Sequence, residues 1–440
     1  MSSFADTGTS KVQNEGAFTR FIRATEIDAR LLGMIAALVV IWVGFHVYGQ
    51  VVNNFGAFLT PRNLWNLSVQ TASVGVMATG MVLVIVTRHI DLSVGSVLGF
   101  CAMSMAIIQV WILPDLIGIG HPLIWVIAAI SGLLIGCLVG AFHGYLVAYL
   151  GIPAFIVTLG GLLVWRGAAF LLARGETISP VDATFSKLGG GPYGAVGATA
   201  SWLVGLIACV AVLGLLWQGR RQRKKFKFPL RPLWAESFLA ISGCGFIIGF
   251  VVLVNSYPWP KGIVKQYVAA NNITTPIEEI FISHGFAIPV LILMGVGILM
   301  TFLTTLTRFG RYVFAIGGNP EAAILAGINT RWVTVKVFAL MGTLAGLSAI
   351  ISSARLNSAT NNLGTFDELY VIAAAVIGGT SFAGGIGTIY GAVLGALVMQ
   401  SLQTGMVLIG FDAAIQQMVV GGVLVAAVWV DTIYRRSSKV

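Results

Sequence analysis

The feature that most constrains this 440-residue chain is its succession of long apolar runs that contain almost no charged residue. Hydrophobic residues make up 57% of the chain, and charged residues make up only 10%. A run of roughly 20 apolar residues is long enough to cross the hydrocarbon core of a bilayer. Because such runs recur along the whole chain, they are too numerous for a soluble core. We therefore predict an all-α, polytopic integral membrane protein.

About twelve membrane helices are predicted from these runs. Their approximate spans are 31–50, 68–87, 92–112, 123–149, 154–173, 201–217, 237–255, 286–306, 337–353, 369–383, 386–407 and 413–430. The stretch 369–411 has no charged residue and contains Gly378 and Gly379, which can break a helix or allow it to re-enter. The expected number is therefore 10 to 12 crossings, with a re-entrant segment as the alternative in this stretch.

The distribution of lysine and arginine predicts the orientation, since basic segments stay on the cytoplasmic side. With both termini cytoplasmic, 19 of the 26 Lys and Arg residues fall in cytoplasmic segments. Residues 1–30 are then a cytoplasmic tail, 31–440 are the membrane domain, and the basic segments 218–236 and 307–336 are cytoplasmic. We interpret the first basic segment as a topology anchor that can also touch anionic lipid headgroups.

The net charge of +10 follows mostly from this asymmetry. No recognisable nucleic-acid module accompanies it, so no nucleic-acid partner is expected.

A short helix is predicted in the second basic segment, where residues 317–328 read GGNPEAAILAGI. Asn319 is a suitable N-cap, Pro320 suits the first helical position, and Glu321 places negative charge at the positive helix end. Gly327 can close the helix. A helix of about two turns is marginal on its own in water, so we expect it to rest on the membrane helices, on a partner protein, or on both.

Motifs of catalysis are missing from the sequence, which has no phosphate-binding loop, no HExxH and no GxSxG, so an enzyme is not predicted. Its four cysteines lie in apolar runs without the spacing of a metal site or a disulfide, so no metal is expected. Few ionisable residues are placed at membrane depth, where an ion-coupled transporter needs them. The candidates are Arg88, His89, Asp91, His143 and Arg166.

Two of these candidates have simpler interpretations. Arg88 can extend to the membrane interface, and a lone His143 is more often a packing residue with satisfied hydrogen bonds.

Close helix packing is predicted where Gly387, Gly391 and Gly395 recur every four residues. Such a face lets another backbone approach. Packing within the subunit is the favoured interpretation, and a subunit interface or the wall of a translocation path is the alternative.

Four blocks of sequence together carry a family resemblance. They are IDLSVGS (90–96), YLGIPAFIVTLGG (149–161) followed by RG (166–167), GRYVFAIGGNPEAAILAGI (310–328) and ELYVIAAAVIGGTSFAGGIGTIYGAVLGAL (368–397). The chain resembles the membrane permease subunits of bacterial ABC sugar importers, in the ribose, xylose and galactose group. The resemblance covers nearly all of the chain from about residue 60 onward, apart from 201–285. This region looks like an inserted helix pair, which makes the chain most similar to xylose-type permeases.

The resemblance implies a function and a set of sites. A monosaccharide, preferably a pentose such as xylose, would move from the periplasm to the cytoplasm through a homodimer of this subunit in the bacterial inner membrane. A periplasmic sugar-binding protein would deliver it, and a separate ATPase that binds ATP and Mg would supply energy, with no cofactor on this chain. The coupling helix to the ATPase would comprise Gly317, Gly318, Asn319, Pro320, Glu321, Ala322, Ala323, Leu325 and Gly327, with Ala322, Ala323 and Leu325 as its apolar contact surface.

Two further groups of residues are expected near the path. The motif residues Asp91, Leu92, Ser93 and Gly95 are expected close to it, and Asn357, Ser358, Asn361 and Asn362 are candidates for the outer entrance or for contact with the binding protein. The chain departs from the family pattern at Thr87, Arg88 and His89, where common members carry glycines, and at His143, where many have asparagine. The alternatives are an ABC permease for a nucleoside, an autoinducer or a branched-chain amino acid, and an ion-coupled secondary transporter.

Overall fold

The computed structural model describes residues 17–273 and 276–437, and within these ranges the chain is helical, with isolated β-bridges and no β-strand. This confirms the all-α class. The helices are α1 (Ala17–Thr25), α2 (Ala29–Asn53), α3 (Pro61–Val86), α4 (Val94–Ile107), α5 (Leu113–Ile117), α6 (Ile124–Ala148), α7 (Ala154–Leu172), α8 (Ala183–Ser186), α9 (Gly197–Lys225), α10 (Leu233–Asn255), α11 (Lys261–Ala270), α12 (Ile288–Leu306), α13 (Arg308–Gly318), α14 (Pro320–Leu325), α15 (Thr330–Leu356), α16 (Asp367–Ile377), α17 (Ile389–Leu408) and α18 (Ala413–Ser437). A π-helical segment, Ile108–Ile112, joins α4 to α5. Residues 1–16 of the predicted tail lie outside the described residues.

Ten helical segments in the described part of the chain are long and apolar enough to cross a membrane, which confirms a polytopic membrane protein. They are α2, α3, α4 continued by α5, α6, α7, α9, α10, α12, α15 and α17. In α18 the described apolar part, Ala413–Trp429, is slightly shorter.

The predicted crossing at 369–383 is wrong as a continuous helix. Helix α16 has only 11 residues and ends at Ile377. At 1.5 Å per residue it spans about 16 Å, roughly half of the hydrocarbon core. Gly379 has a φ of +88°, a left-handed conformation that favours glycine and stops the helix. The chain then continues without helix to Thr388, so the glycine pair breaks this crossing, as the alternative interpretation proposed.

The core of the bundle is built around α3 and α15, which are the most deeply buried of the long helices. Hydrogen bonds between side chains tie the two helices together: Ser73 Oγ lies 2.5 Å from Ser348 Oγ and 2.8 Å from Ser352 Oγ. Helix α6 lies against α15 at backbone distance, because a Cβ atom on Gly136 would overlap the Gly342 carbonyl. Small residues thus allow the contact that membrane helices need for association.

Successive crossings place the connecting segments on two faces of the bundle. We call one the basic face; it carries segments 87–93, 226–232 and 307–329, including α13 and α14. The other, which we call the opposite face, carries segments 173–196 and 256–287, with the short helices α8 and α11.

The helix pair that was predicted as an insertion, called the inserted pair below, consists of α9 and α10, and its basic segment differs from the prediction. The structure continues α9 through Lys225, so most of the basic residues predicted in a loop at 218–236 are helical, and the connection is only 226–232. Arginine and lysine are good helix formers, and their charge is favourable at a helix C-terminus. The end of this helix that was predicted from hydropathy, at residue 217, is therefore too early.

An ionic cluster fastens α1 to this pair. Glu26 accepts hydrogen bonds from Arg223 at 2.7 and 2.6 Å and from Arg231 at 2.7 Å. Hydrogen bonds from Arg223 and Arg231 lower the pKa of Glu26 from 4.5 to about 2. Phe21 of α1 also packs edge-on against Phe238 of α10, with 5.2 Å between the ring centroids. The N-terminal helix is therefore docked on the inserted pair.

Candidate functional site

Helix α14 forms at the predicted place on the basic face, with the predicted caps. The Asn319 side chain accepts a hydrogen bond from Ala322 N at 3.0 Å, and Pro320 occupies the first turn. Gly327, with a φ of +79°, follows the helix end. The local sequence chemistry was therefore sufficient to predict this element.

The exposed surface of α14 differs from the predicted one. Ala323 is buried in the core of this chain, so it cannot belong to a contact surface for a partner. Leu325 is 89% exposed and Ile324 is 58% exposed, while Glu321 and Ala322 are also exposed. The helix uses its small residue to lie on the bundle and presents its larger aliphatic side chains to the outside. Such exposed aliphatic groups outside the membrane spans are typical of a protein interface.

Helix α13, which immediately precedes α14, was missed by the sequence reasoning. Val313, Ile316 and Gly317 are buried, whereas Arg308 and Arg311 are exposed, so the helix is amphipathic. The alternation of arginines with apolar residues in RFGRYVFAIGG was the signal that could have predicted it. Helix α13 connects α14 rigidly to the bundle.

Arg88 joins residues 317–328, which were predicted to form the coupling helix and are called the coupling segment below, to the membrane core. Its Nε donates to the Gly317 carbonyl at 2.9 Å, and its Nη2 donates to the Gly318 carbonyl at 2.9 Å. These carbonyls end α13, where a positive charge is favourable. Arg88 itself follows α3 with a φ of +65°. Its side chain is thus a structural link within the chain, and it is also exposed at the end of α3 on the basic face.

The broken crossing, which comprises α16 and the segment that follows it up to Thr388, contacts the same ends of α3 and α13. Gly385 N donates to the Val86 carbonyl at 3.0 Å, and a Cβ atom on Gly317 would overlap that carbonyl. A Cβ atom on Gly384 would lie 2.6 Å from the Arg88 side chain. The end of α3, the end of α13 and the segment after α16 therefore meet at backbone contact. These contacts connect α13, which leads into α14, with the broken crossing.

The motif at 90–96 lies inside the bundle, where a chain of hydrogen bonds holds it. Asp91 Oδ1 accepts from Ser93 N at 2.8 Å and from Ser93 Oγ at 2.6 Å, and Ser93 Oγ lies 3.3 Å from His143 Nδ1. Trp165 Nε1 donates to His143 Nε2 at 2.9 Å. This donation assigns the imidazole proton to Nδ1, so His143 is neutral and donates to Ser93. His143 is a buried residue with satisfied hydrogen bonds, and Leu92 packs against the hydrophobic core.

The segment between α15 and α16 approaches this motif from the opposite face. A Cβ atom on Gly95 would overlap both the Gly364 carbonyl and the Glu368 carboxylate, so the two backbones are in contact. Arg166 Nη1 donates to the carbonyls of Asn361 at 3.0 Å and Leu363 at 2.7 Å. Arg166 therefore holds irregular backbone inside the bundle, where hydrogen-bond partners are required.

Charged groups are concentrated at this contact between the two segments. Arg166 interacts electrostatically with Glu368 and Asp367, and Glu368 is buried with Oε2 lacking a hydrogen-bond partner. Arg166 was predicted from the sequence, but the two acids were not, because their position at the start of α16 resembled an external loop. Buried ionisable groups at membrane depth usually mark a functional region.

The four polar residues predicted at the outer entrance have different positions. Asn357 and Asn362 are exposed, and Ser358 is half-buried with its hydroxyl bonded to the Leu356 carbonyl. Asn361 points inward, and its buried Oδ1 has no partner. The structure therefore separates Asn361 from the exposed members of this group.

The predicted glycine face is only partly helical, because Gly391 and Gly395 lie on α17 whereas Gly387 precedes that helix. Cβ atoms on Gly387, Gly391 and Gly395 would meet Val82, Gly378 and Ala374, respectively. These contacts agree with the favoured interpretation of this motif. Among the residues that the structure describes, no group of three or more His, Cys, Asp and Glu side chains is placed to hold a metal ion.

Among the residues that the structure describes, ten apolar crossings, a broken helix between α15 and α17 and the exposed helix α14 on the basic face define a multi-pass membrane protein of the permease type. The chain belongs to the family described as branched-chain amino acid transport system / permease component, whose model matches residues 63–223 and 230–428. Members of this family are transport components, so the chain is a transport subunit of the inner membrane and not an enzyme.

Similar proteins carry this identification further. The xylose transport system permease protein of Escherichia coli K12 is 36% identical over 417 residues, which cover 94% of each chain. The corresponding protein of Haemophilus influenzae is 36% identical over 410 residues, covering 92% of this chain and 97% of its own. The ribose import permease protein of Escherichia coli K12 is 32% identical over 374 residues, covering 85% of this chain and 87% of its own. The predicted resemblance to xylose-type permeases is confirmed. No solved structure shows a significant match.

Proposed function

We propose that this chain is the transmembrane subunit of an ATP-binding-cassette importer for a monosaccharide, preferably a pentose such as xylose. Relatives named for xylose and ribose transport support this substrate class, and the xylose permeases align over the whole membrane domain. The inserted pair α9–α10 is part of that alignment, because 94% of this chain is covered.

The observation that carries the proposal is the exposed α14 and its connection to the core. Leu325 and Ile324 offer an apolar surface outside the membrane spans, and Arg88 links the preceding helix to the broken crossing. A partner that moves α14 would therefore move the backbone around Gly384 and Gly385. This is the mechanical arrangement required when ATP is hydrolysed by another subunit.

The basic face is then cytoplasmic, in agreement with its excess of arginine and lysine. The partners are a cytoplasmic ATPase that holds ATP and Mg, a periplasmic sugar-binding protein on the opposite face and a second copy of this permease. Only differential binding of these partners and of the sugar can shift the equilibrium between inward-open and outward-open states.

Two other functions have observations in their favour. The family description names branched-chain amino acid transport, so another small polar solute, such as an amino acid, a nucleoside or an autoinducer, is the second candidate. The buried Glu368 and the half-buried Arg166 and Asp367 are of the kind that ion-coupled transporters use, which keeps secondary transport as the third candidate.

The test is uptake by cells that express the permease with its binding protein and ATPase. Xylose, ribose, galactose and leucine should be compared, with and without an uncoupler while cellular ATP is maintained. We expect uptake of a pentose that survives the uncoupler. Preferred uptake of leucine would support the second candidate, and uptake that collapses with the proton gradient without needing the ATPase would support the third.

A further inference from the structure

A cleft on the opposite face, formed by the inserted pair and the segment that follows it, has the lining of a small-molecule site. Its volume is about 410 Å³, within the usual range for small-ligand sites. It is lined by Gly197, Ala198, Asn255, Phe281, Ile282 and Ser283. The coupling segment and the motif at 90–96 contribute none of these residues, so this cleft is separate from the site described above.

Two residues that line the cleft carry buried polar atoms without a partner among the described residues. Within this part of the chain, neither Oδ1 nor Nδ2 of Asn255 has a hydrogen-bond partner, although both atoms are buried. The hydroxyl of Ser283 is also buried without a partner. Leaving such a group unsatisfied costs about 1 to 3 kcal/mol. A ligand that forms hydrogen bonds with these three atoms would remove that cost and gain affinity. A ligand that both donates and accepts hydrogen bonds would satisfy them.

The walls of the cleft are held in place by backbone hydrogen bonds on both sides. Trp259 N donates to the Ile282 carbonyl at 2.8 Å, and Gly197 N donates to the His284 carbonyl at 2.9 Å. Ser201 Oγ accepts from Phe286 N at 2.8 Å. The segment 281–286 is therefore fixed between the end of α10 and the start of α9. Polar groups on such a frame are preorganised for binding.

The chemistry of the lining indicates the class of ligand. None of the six lining residues carries a charge, so the cleft supplies no ion pair and favours a neutral ligand over a zwitterion or an anion. The planar amide of Asn255 can pair with two neighbouring hydroxyl groups, and Phe281 and Ile282 provide an apolar wall for C–H groups. The Trp259 indole, whose buried Nε1 also lacks a partner, lies at the same segment and packs edge-on against Tyr193 at 5.3 Å.

We propose that this cleft binds a neutral monosaccharide on the outer side of the permease, through Asn255 and Ser283. The site would hold the sugar outside the broken crossing. The assignment to the outer side and to the transported sugar rests on the proposed function.

The test is saturation-transfer NMR with D-xylose on the full-length permease in lipid nanodiscs, without binding protein or ATPase. We expect transfer signals for xylose and none for leucine. Asn255→Leu and Ser283→Ala together should weaken the binding roughly tenfold, because they remove the amide and hydroxyl partners. Ala198→Phe, which fills the cleft from its exposed rim, should have the same effect by a different cause.

Matched controls are Ser256→Ala and Asn271→Leu. Ser256 neighbours Asn255 but is exposed, with its hydroxyl bonded to the Val252 carbonyl. Asn271 is exposed at the end of α11. Thermal unfolding of each variant in the same nanodiscs verifies folding.

Absence of xylose binding to the wild-type permease, or equal binding by the wild-type permease and the cleft variants, would overturn the inference. Uptake by the complete transporter is measured separately. Normal pentose uptake together with an empty cleft would refute this site alone, whereas a transporter that takes up no sugar would refute the proposed function.

Discussion

The guanidinium group of Arg88 donates to the carbonyl of Gly317 at 2.9 Å and thereby joins the end of α3 to the end of α13. The contact connects the segment that carries α14 with the segment that leads into α4. The same guanidinium also donates a hydrogen bond of 2.9 Å to the Gly318 carbonyl, so it binds two successive carbonyls through two of its nitrogens. In the proposed function, coupling of α14 to the membrane helices depends on this link.

Replacing this arginine should separate ATP hydrolysis from transport. A lysine ammonium cannot reproduce the planar fork, so Arg88→Lys should reduce sugar uptake roughly tenfold, and Arg88→Ala should reduce it further. ATP hydrolysis by the assembled complex should persist. Both rates are measured in proteoliposomes, with Arg308→Lys on the exposed side of α13 as the control. Full uptake by Arg88→Ala would show that the link has no role in coupling.

The exposed aliphatic surface of α14 should bind the ATPase. Leu325→Glu places a charge on a side chain that is 89% exposed, so it should leave the permease folded but abolish co-purification of the ATPase. The control is Phe228→Glu, since Phe228 is 64% exposed on the same face at the tip of the inserted pair. If Leu325→Glu retained the ATPase as well as the control does, α14 would not be the docking element.

The close approach of Gly95 to Gly364 should not tolerate a side chain. Gly95→Ala should destabilise the permease by about 1 to 3 kcal/mol, because its Cβ would overlap a backbone carbonyl that cannot move without displacing α16. Gly160→Ala is the matched control: Gly160 is also helical, and a Cβ atom there would meet nothing within 4 Å. Thermal unfolding in nanodiscs gives both values. Equal stability of the two variants would contradict the contact.

The Glu26 cluster should make stability depend on pH. Because the pKa of Glu26 is lowered from 4.5 to about 2 in the folded chain, its stabilising effect is fully present above pH 4.5 and is lost as the pH falls towards 2. The melting temperature of the wild-type permease should therefore exceed that of Glu26→Gln at pH 6, and the difference should shrink by pH 3.

The difference should also be small and sensitive to salt, because the Glu26 side chain is 41% exposed. Glu176→Gln, at an exposed site on the opposite face, is the control. A difference between the wild-type permease and Glu26→Gln that stays constant from pH 6 to pH 3 would argue against the cluster.

Local and compositional features of this chain were predictable from its sequence. Long apolar runs revealed most crossings, because only helices that satisfy their own backbone hydrogen bonds span a bilayer. The caps of α14 were predictable because Asn319, Pro320 and Gly327 act within a few residues of each other.

Features that depend on distant contacts were not predictable. Ala323 is buried because α14 lies on the bundle, and Glu368 is internal because the segment before α16 turns inward to meet Gly95. The outer cleft was missed for the same reason, since Asn255 and Ser283 are brought together only by the fold. Their residue types carry no signal of such a contact in the sequence.

The most direct test of the central claim is ATP-dependent uptake of labelled D-xylose into proteoliposomes that contain the permease, its ATPase and its binding protein, without any ion gradient. The account predicts accumulation that requires ATP on the side of α14 and that is lost in Leu325→Glu. Accumulation that needs an ion gradient and proceeds without the ATPase would contradict it.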